Sequence, residues 1–147
     1  MKQFISFLLV LILGGFSLAI AGEKSRFSEL NQTDWKEIQN VIAQQIAAFE
    51  QDDQTAAFSF ASPAIKKRFG TAENFLRMVK LAYPAIYRPR GMGFLDHYLF
   101  RGYPMQRLQV VAPDGAVYVA LYQMQKQHDG SWKVEGCTLM PTDAKST

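Results

Sequence analysis

Residues 105–127 read MQRLQVVAPDGAVYVALYQMQKQ. Apolar and polar positions alternate on both sides of Pro113-Asp114-Gly115, the period of a strand with one face in a core. The tripeptide supplies a turn, because proline presets one φ and glycine accepts a positive one. Met105 to Ala112 and Ala116 to Gln127 are therefore read as a hairpin. His128-Asp129-Gly130-Ser131 makes a second turn, and Trp132-Lys133-Val134-Glu135 alternates again. Gly136 breaks the alternation as a bulge does, after which Cys137 and Leu139 face inward. The outer face of this sheet should carry Gln109, Gln123, Gln125, Lys133 and Glu135. Upstream, the period is two from Tyr87 onward, with Phe94 to Phe100 as a further strand. The glycines and aromatics of Gly91 to Met105 leave the early strands the least defined by pattern.

Before Tyr87 the apolar spacing is three and four. Trp35, Ile38, Ile42, Ile46 and Phe49, widened by Val41 and Ala43, form one face of a helix from Asp34 to about Gln51. Asp34 is its expected N-cap, with Glu37 three positions on. Asp52-Asp53 stop it, since carboxylates oppose the negative end of the helix dipole. Asp53 caps the next segment, the short apolar and helical Ala56 to Ala61. Ser62-Pro63 start another helix, serine as cap and proline at the first position. Gly70 closes it. Thr71 caps a further helix whose Phe75, Met78, Val79 and Ala82 are buried, and Pro84 ends that helix by forcing Tyr83 out of helical geometry. Helices followed by an antiparallel meander are an α+β pattern, with the helices on one face of a curved sheet and a pocket between the layers. Phe60, Tyr83, Tyr87, Tyr98 and Tyr122 are expected to border that pocket, because tyrosine suits a half-wet wall.

The chain of 147 residues, 48% hydrophobic and 20% charged with one cysteine, has the composition of one globular domain, not of a disordered or disulfide-stapled chain. Its beginning follows another logic. Met1-Lys2-Gln3 carries a positive charge, Phe4 to Ile20 is an apolar run, and Ala19-Ile20-Ala21 offers small residues ahead of Gly22-Glu23-Lys24. That is the order of a cleaved export signal. The run is at the short limit for spanning a bilayer, and position 22 is glycine rather than a lipid-bearing cysteine. The expected organisation is a signal peptide at 1–21 cleaved after Ala21, a polar leader at 22–32, a domain at 33–141 and a C-terminal tail at 142–147. A periplasmic or secreted protein with no stable membrane anchor follows. Lys2 leaves with the signal, which takes the formal charge from +3 to +2. So mild a charge gives no reason to expect nucleic acid. A lone cysteine in an oxidising compartment is either buried or paired between chains. Cys137 lies in an apolar run and is read as buried; a homodimer stays compatible with the sequence.

One run gives the chain a wider resemblance: Val41-Ile42, Gln45, Ala48-Phe49, Asp52-Asp53, then Ala57-Phe58-Ser59-Phe60-Ala61-Ser62-Pro63. It continues through Phe69-Gly70, Glu73-Asn74-Phe75, Met78-Val79, Tyr83-Pro84 and Arg88-Pro89, and closes with Tyr122-Gln123-Met124 and Asp129-Gly130-x-Trp132-x-Val134-x-Gly136. This resembles a bacterial family, the domain of unknown function 4864. The resemblance implies an exported protein with the NTF2-like (cystatin-like) α+β cone, N-terminal helices packed on a curved antiparallel sheet. It implies no catalytic residue, since the family has no assigned activity, and the fold alone selects no function.

The residues themselves offer a few sites. Asp96 and His97 are candidates for a catalytic acid or base, but neighbours on a strand point to opposite faces, so only one can enter a pocket. His128 sits in a turn. Residues 63–107 carry nine cations against two acids, whereas 29–53 carry six acids against Lys36. The sharpest part of the basic stretch is Tyr87-Arg88-Pro89-Arg90, where two guanidiniums spaced by a rigid proline suit a carboxylate or phosphate. Tyr83, Tyr87, Arg88, Arg90 and Tyr122 are thus the expected ligand-binding residues, with an anion as ligand. No ligand cluster for a metal and no cofactor-binding motif is present. Two functional classes follow: an exported non-enzymatic module for a small ligand or a protein partner, and a cofactor-free isomerase or dehydratase with its acid or base in the helix–sheet pocket.

Overall fold

A computed structural model describes residues 30–145. The expected signal peptide and most of the leader lie outside the described residues. Helix α1 spans Gln32–Glu50. Its N-cap is Asn31 and not Asp34: Asn31 Oδ1 accepts from the Asp34 amide at 2.9 Å, and the Asn31 amide donates to Asp34 Oδ2 at 3.1 Å. The capping box begins three residues earlier than expected because Asp34 fills its third helical position. Trp35, Ile38, Ile42, Ile46 and Phe49 are all buried, as their spacing predicts.

Three short helices and a final turn follow. Helix α2 (Gln54–Ser59) is capped by Asp53, α3 (Pro63–Phe69) by Ser62 and α4 (Ala72–Ala82) by Thr71. Gly70 closes α3 with a φ of 73°. On α4, Phe75, Leu76 and Val79 are buried while Ala82 is exposed, so the apolar stripe is turned by about one residue from the expected one. Pro84 ends α4 as expected, yet it also starts a helical turn, α5 (Pro84–Tyr87). Proline at a first helical position loses no hydrogen bond, so the residue that breaks one helix begins the next.

The strands are β1 (Gly91–Phe100), β2 (Tyr103–Val111), β3 (Ala116–Lys126) and β4 (Trp132–Lys145). They form one open antiparallel sheet in the order β1-β2-β3-β4. Residues 142–145, expected as a tail, belong to β4. The inner face is legible in the register: Leu108 faces Ala120, Ala120 faces Leu139, Tyr122 faces Cys137 and Met124 faces Val134. On β4 the inward positions change from even to odd numbers between Val134 and Cys137. The cause is a bulge, since Gln123 pairs Gly136 whereas Met124 pairs Val134, leaving Glu135 as the extra residue. A second irregularity in β1, between Phe94 and His97, is held by the buried Gln106. Its Nε2 lies 3.1 and 3.2 Å from the Leu95 and Asp96 carbonyls, and its Oε1 accepts from Gln39 at 3.2 Å. The α1 stripe and the inner sheet residues make one apolar core. The fold is therefore α+β, N-terminal helices on a four-stranded open sheet.

Candidate functional site

A cleft of about 410 Å³ opens between the helices and the β3–β4 half of the sheet. Gln45 and Phe49 of α1, Ala61, residues of α3, one side of α4, Tyr83, and Ile86 of α5 form its helical wall. Tyr122 and residues 134–137 form the sheet wall. Small-molecule sites commonly have such a volume and such apolar walls.

Its polar groups are few. Gln45, 2% exposed, donates from Nε2 to the Ala57 carbonyl at 3.1 Å. The Tyr83 hydroxyl donates to the Cys137 carbonyl at 3.2 Å, stitching the end of α4 to β4. The Tyr122 hydroxyl is buried without a hydrogen-bond partner. Burial pushes the Tyr122 phenol well above its usual range, so it keeps its proton at any physiological pH. Burial also pushes the Cys137 thiol up to about 12, which makes it an inert packing group rather than a nucleophile. Glu135 lines the cleft, and its Oε2 is shut off from water with no hydrogen-bond partner. This corrects the expected outward placement of Glu135, because the bulge takes the residue out of strict alternation. Arg68, on the last turn of α3, completes the lining, its guanidinium 5.6 Å from the Phe69 ring.

The expected site residues divide. Tyr83 and Tyr122 line the cleft; Phe60, Tyr87, Tyr98, Arg88 and Arg90 are not among the lining residues. In this structure Tyr87 and Arg88, expected to face an anionic ligand, both engage the carboxylate of Asp52. Asp52 Oδ2 accepts from Arg88 Nη2 at 3.0 Å, Asp52 Oδ1 lies 3.4 Å from Lys80 Nζ and also accepts from the Tyr87 hydroxyl, and Arg88 donates to the Phe49 carbonyl. The Arg88 guanidinium lies 4.0 Å from the Tyr87 ring centroid. The Tyr87 hydrogen bond, followed by Lys80 and Arg88, holds the Asp52 carboxyl below its ordinary range. Arg90 is exposed, and its amide donates to the Val111 carbonyl at 2.8 Å.

Asp96 and His97 both lie outside the cleft. Asp96 is exposed and pairs with Arg107 at 2.7 Å, and the His97 ring stacks on Trp35 with centroids 4.0 Å apart. Neighbours on β1 do turn opposite ways, but the strand is at the far edge of the sheet from the cleft. Gln45, Arg68 and Glu135 were not singled out by sequence. Gln45 had a signal, lying three residues after Ile42 and four before Phe49, on the buried face. Glu135 had only the neighbouring bulge, and Arg68 had none. Among the described residues no group of three or more His, Cys, Asp or Glu side chains could hold a metal ion.

A family model described as Domain of unknown function (DUF4864) matches residues 31–147. The chain belongs to this family, whose match begins at the N-cap of α1 and takes in every strand. No curated protein and no solved structure matches the chain.

Proposed function

We propose that this protein is a non-enzymatic binding module that holds a small, largely apolar ligand in the cleft between its helices and β4. The observation that carries the reading is the cleft itself, a 410 Å³ space with apolar walls and few polar side chains. Walls of this kind favour a ligand by removing its apolar surface from water, while the polar groups set its orientation. N-phenyl-1-naphthylamine, a neutral dye that brightens in apolar sites, tests it. Saturable binding is expected, and Ala82→Trp should abolish it, because Ala82 lines the cleft yet is exposed. Absence of binding, or binding unchanged by the tryptophan, refutes the reading.

Glu135 and Tyr122 favour a second reading, a cofactor-free isomerase or dehydratase. A carboxylate and a protonated phenol on one apolar cleft are the acid–base types such chemistry needs. They would act in place of Asp96 and His97. Proton–deuterium exchange at the α-carbon of a small cyclic ketone, lost in Glu135→Gln, separates this reading from plain binding.

In the wider reading, helices on a curved sheet form an NTF2-like cone, and a bacterial cell exports the protein after cleavage at Ala21. Among the described residues no helix is long and apolar enough to cross a membrane. Mass spectrometry of protein recovered from the periplasm or medium should give a chain beginning at Gly22; one beginning at Met1 refutes the cleavage.

A further inference from the structure

The cleft holds two opposite charges that do not satisfy each other. Glu135 and Arg68 both line it, yet among the described residues neither has an ion-pair partner within 4.0 Å. Lys133, two residues before Glu135, donates to the Ser59 carbonyl at 2.8 Å, and Lys67, beside Arg68 in sequence, is not among the lining residues. Glu135 is an acceptor with one oxygen sealed from water and no donor in reach. Arg68 is exposed, a planar donor set whose only described side-chain engagement is with the Phe69 ring. Phe69, Phe75 and Val79 line the same cleft.

A ligand carrying a single charge would satisfy only one of the two groups. A neutral apolar ligand can fill the cleft but leaves the sealed Glu135 oxygen without a donor. A zwitterion with an apolar body matches all three features at once: its ammonium supplies the donor Glu135 lacks, its carboxylate accepts from the Arg68 fork, and its apolar part fills the aromatic interior. Resting on the binding reading above, we propose that the cleft takes a molecule with an ammonium and a carboxylate on an apolar body, the chemistry of an aromatic or long aliphatic amino acid or of a short apolar peptide with free termini.

Displacement of N-phenyl-1-naphthylamine from the full chain tests this, with L-phenylalanine, leucyl-phenylalanine, N-acetyl-L-phenylalanine and L-phenylalanine amide as competitors. L-phenylalanine or the dipeptide should displace the dye, and whichever is stronger by tenfold or more identifies the free amino acid or the peptide as the class. The acetylated and amidated compounds should each be weaker by at least tenfold. Glu135→Gln should weaken L-phenylalanine tenfold and leave N-acetyl-L-phenylalanine unchanged. Arg68→Met should weaken L-phenylalanine tenfold and leave the amide unchanged, whereas Lys67→Met should change nothing. Dye binding with no displacement by either zwitterion overturns this proposal and leaves the binding reading standing. Equal loss of all four competitors in Glu135→Gln also overturns it. Absence of dye binding removes both.

Discussion

Asp52 shows how much one residue can organise. It has a φ of 54°, in the left-handed region that side chains other than glycine, asparagine and aspartate rarely adopt. The turn it makes lets α1 end and places its carboxylate against Lys80, Tyr87 and Arg88. Asp52→Asn keeps a residue that tolerates this φ but removes the charge, and should lower the melting temperature at neutral pH. Because the folded-state carboxyl titrates below its ordinary range, the stabilisation is present above that range and is lost as pH falls through the lowered value. The gap in melting temperature between wild type and Asp52→Asn should therefore close on acidification. A gap that persists at pH 2 would assign the effect to the backbone. Cys137 supplies a second check. Cys137 is half-buried on the cleft wall and its thiol is pushed up to about 12 by desolvation, so it should react with a thiol-specific aromatic disulfide at pH 8 far more slowly in the native protein than after unfolding in denaturant. Rapid labelling of the native protein would contradict its placement.

At the scale of elements, α1 is held by its buried stripe and not by its composition. Ile42 is 0% exposed in the core that joins α1 to the inner sheet. Ile42→Ala should cost about 2–5 kcal/mol in urea unfolding, from lost burial plus the cavity left behind. The β1–β2 hairpin turns on two residues, Arg101 with φ 50° and Gly102 with φ 81°. Positive φ at both central positions defines a type I′ turn, whose right-handed twist matches that of the strands it joins and which favours asparagine before glycine. Arg101→Asn should stabilise the protein by about 0.5–1 kcal/mol, part of the cost of holding an ordinary side chain in left-handed geometry. Thermal or urea denaturation reads this directly, and a destabilised variant would show that the arginine makes a compensating contact. The outer residues of the hairpin, Tyr98, Leu99, Phe100 and Tyr103, are exposed, so the turn geometry and not burial fixes its end.

Over the whole molecule the two layers share one core. Trp35 on α1 and Trp132 on β4 both belong to it. Tryptophan fluorescence and far-ultraviolet circular dichroism should therefore give coincident transitions in urea, as a single cooperative unit requires. Separated transitions would mean that helices and sheet unfold independently. The cleft opens within this arrangement, and Tyr83, between α4 and α5, reaches β4 through its hydrogen bond to the Cys137 carbonyl. A ligand that fills it adds to the stability of the same unit, by about 2.7 kcal/mol at a free concentration one hundred times its dissociation constant.

Much of this architecture was written in local pattern. The α1 stripe, the caps Asp53, Ser62 and Thr71, the Gly70 closure and both hairpin turns after Val111 follow from spacing, φ preferences and turn chemistry, all of which act over a few residues. The presence of a bulge, and with it the inward Cys137, was legible from Gly136, although the extra residue is its neighbour Glu135. The helical turn at Pro84 was not, because proline's fixed φ ends one helix and begins another equally well. Nor was the site. Tyr83 and Tyr122 could be guessed from residue type, but Arg88 met its anion on a residue 36 positions earlier, and Asp96 and His97 were carried to the edge farthest from the cleft. Which side chains converge depends on how the helical layer is laid on the sheet, and on the bulge in which Glu135 is the extra residue. Local sequence determined the elements and their buried faces; the long-range packing of those faces decided which charges are spent within the chain and which remain on the cleft.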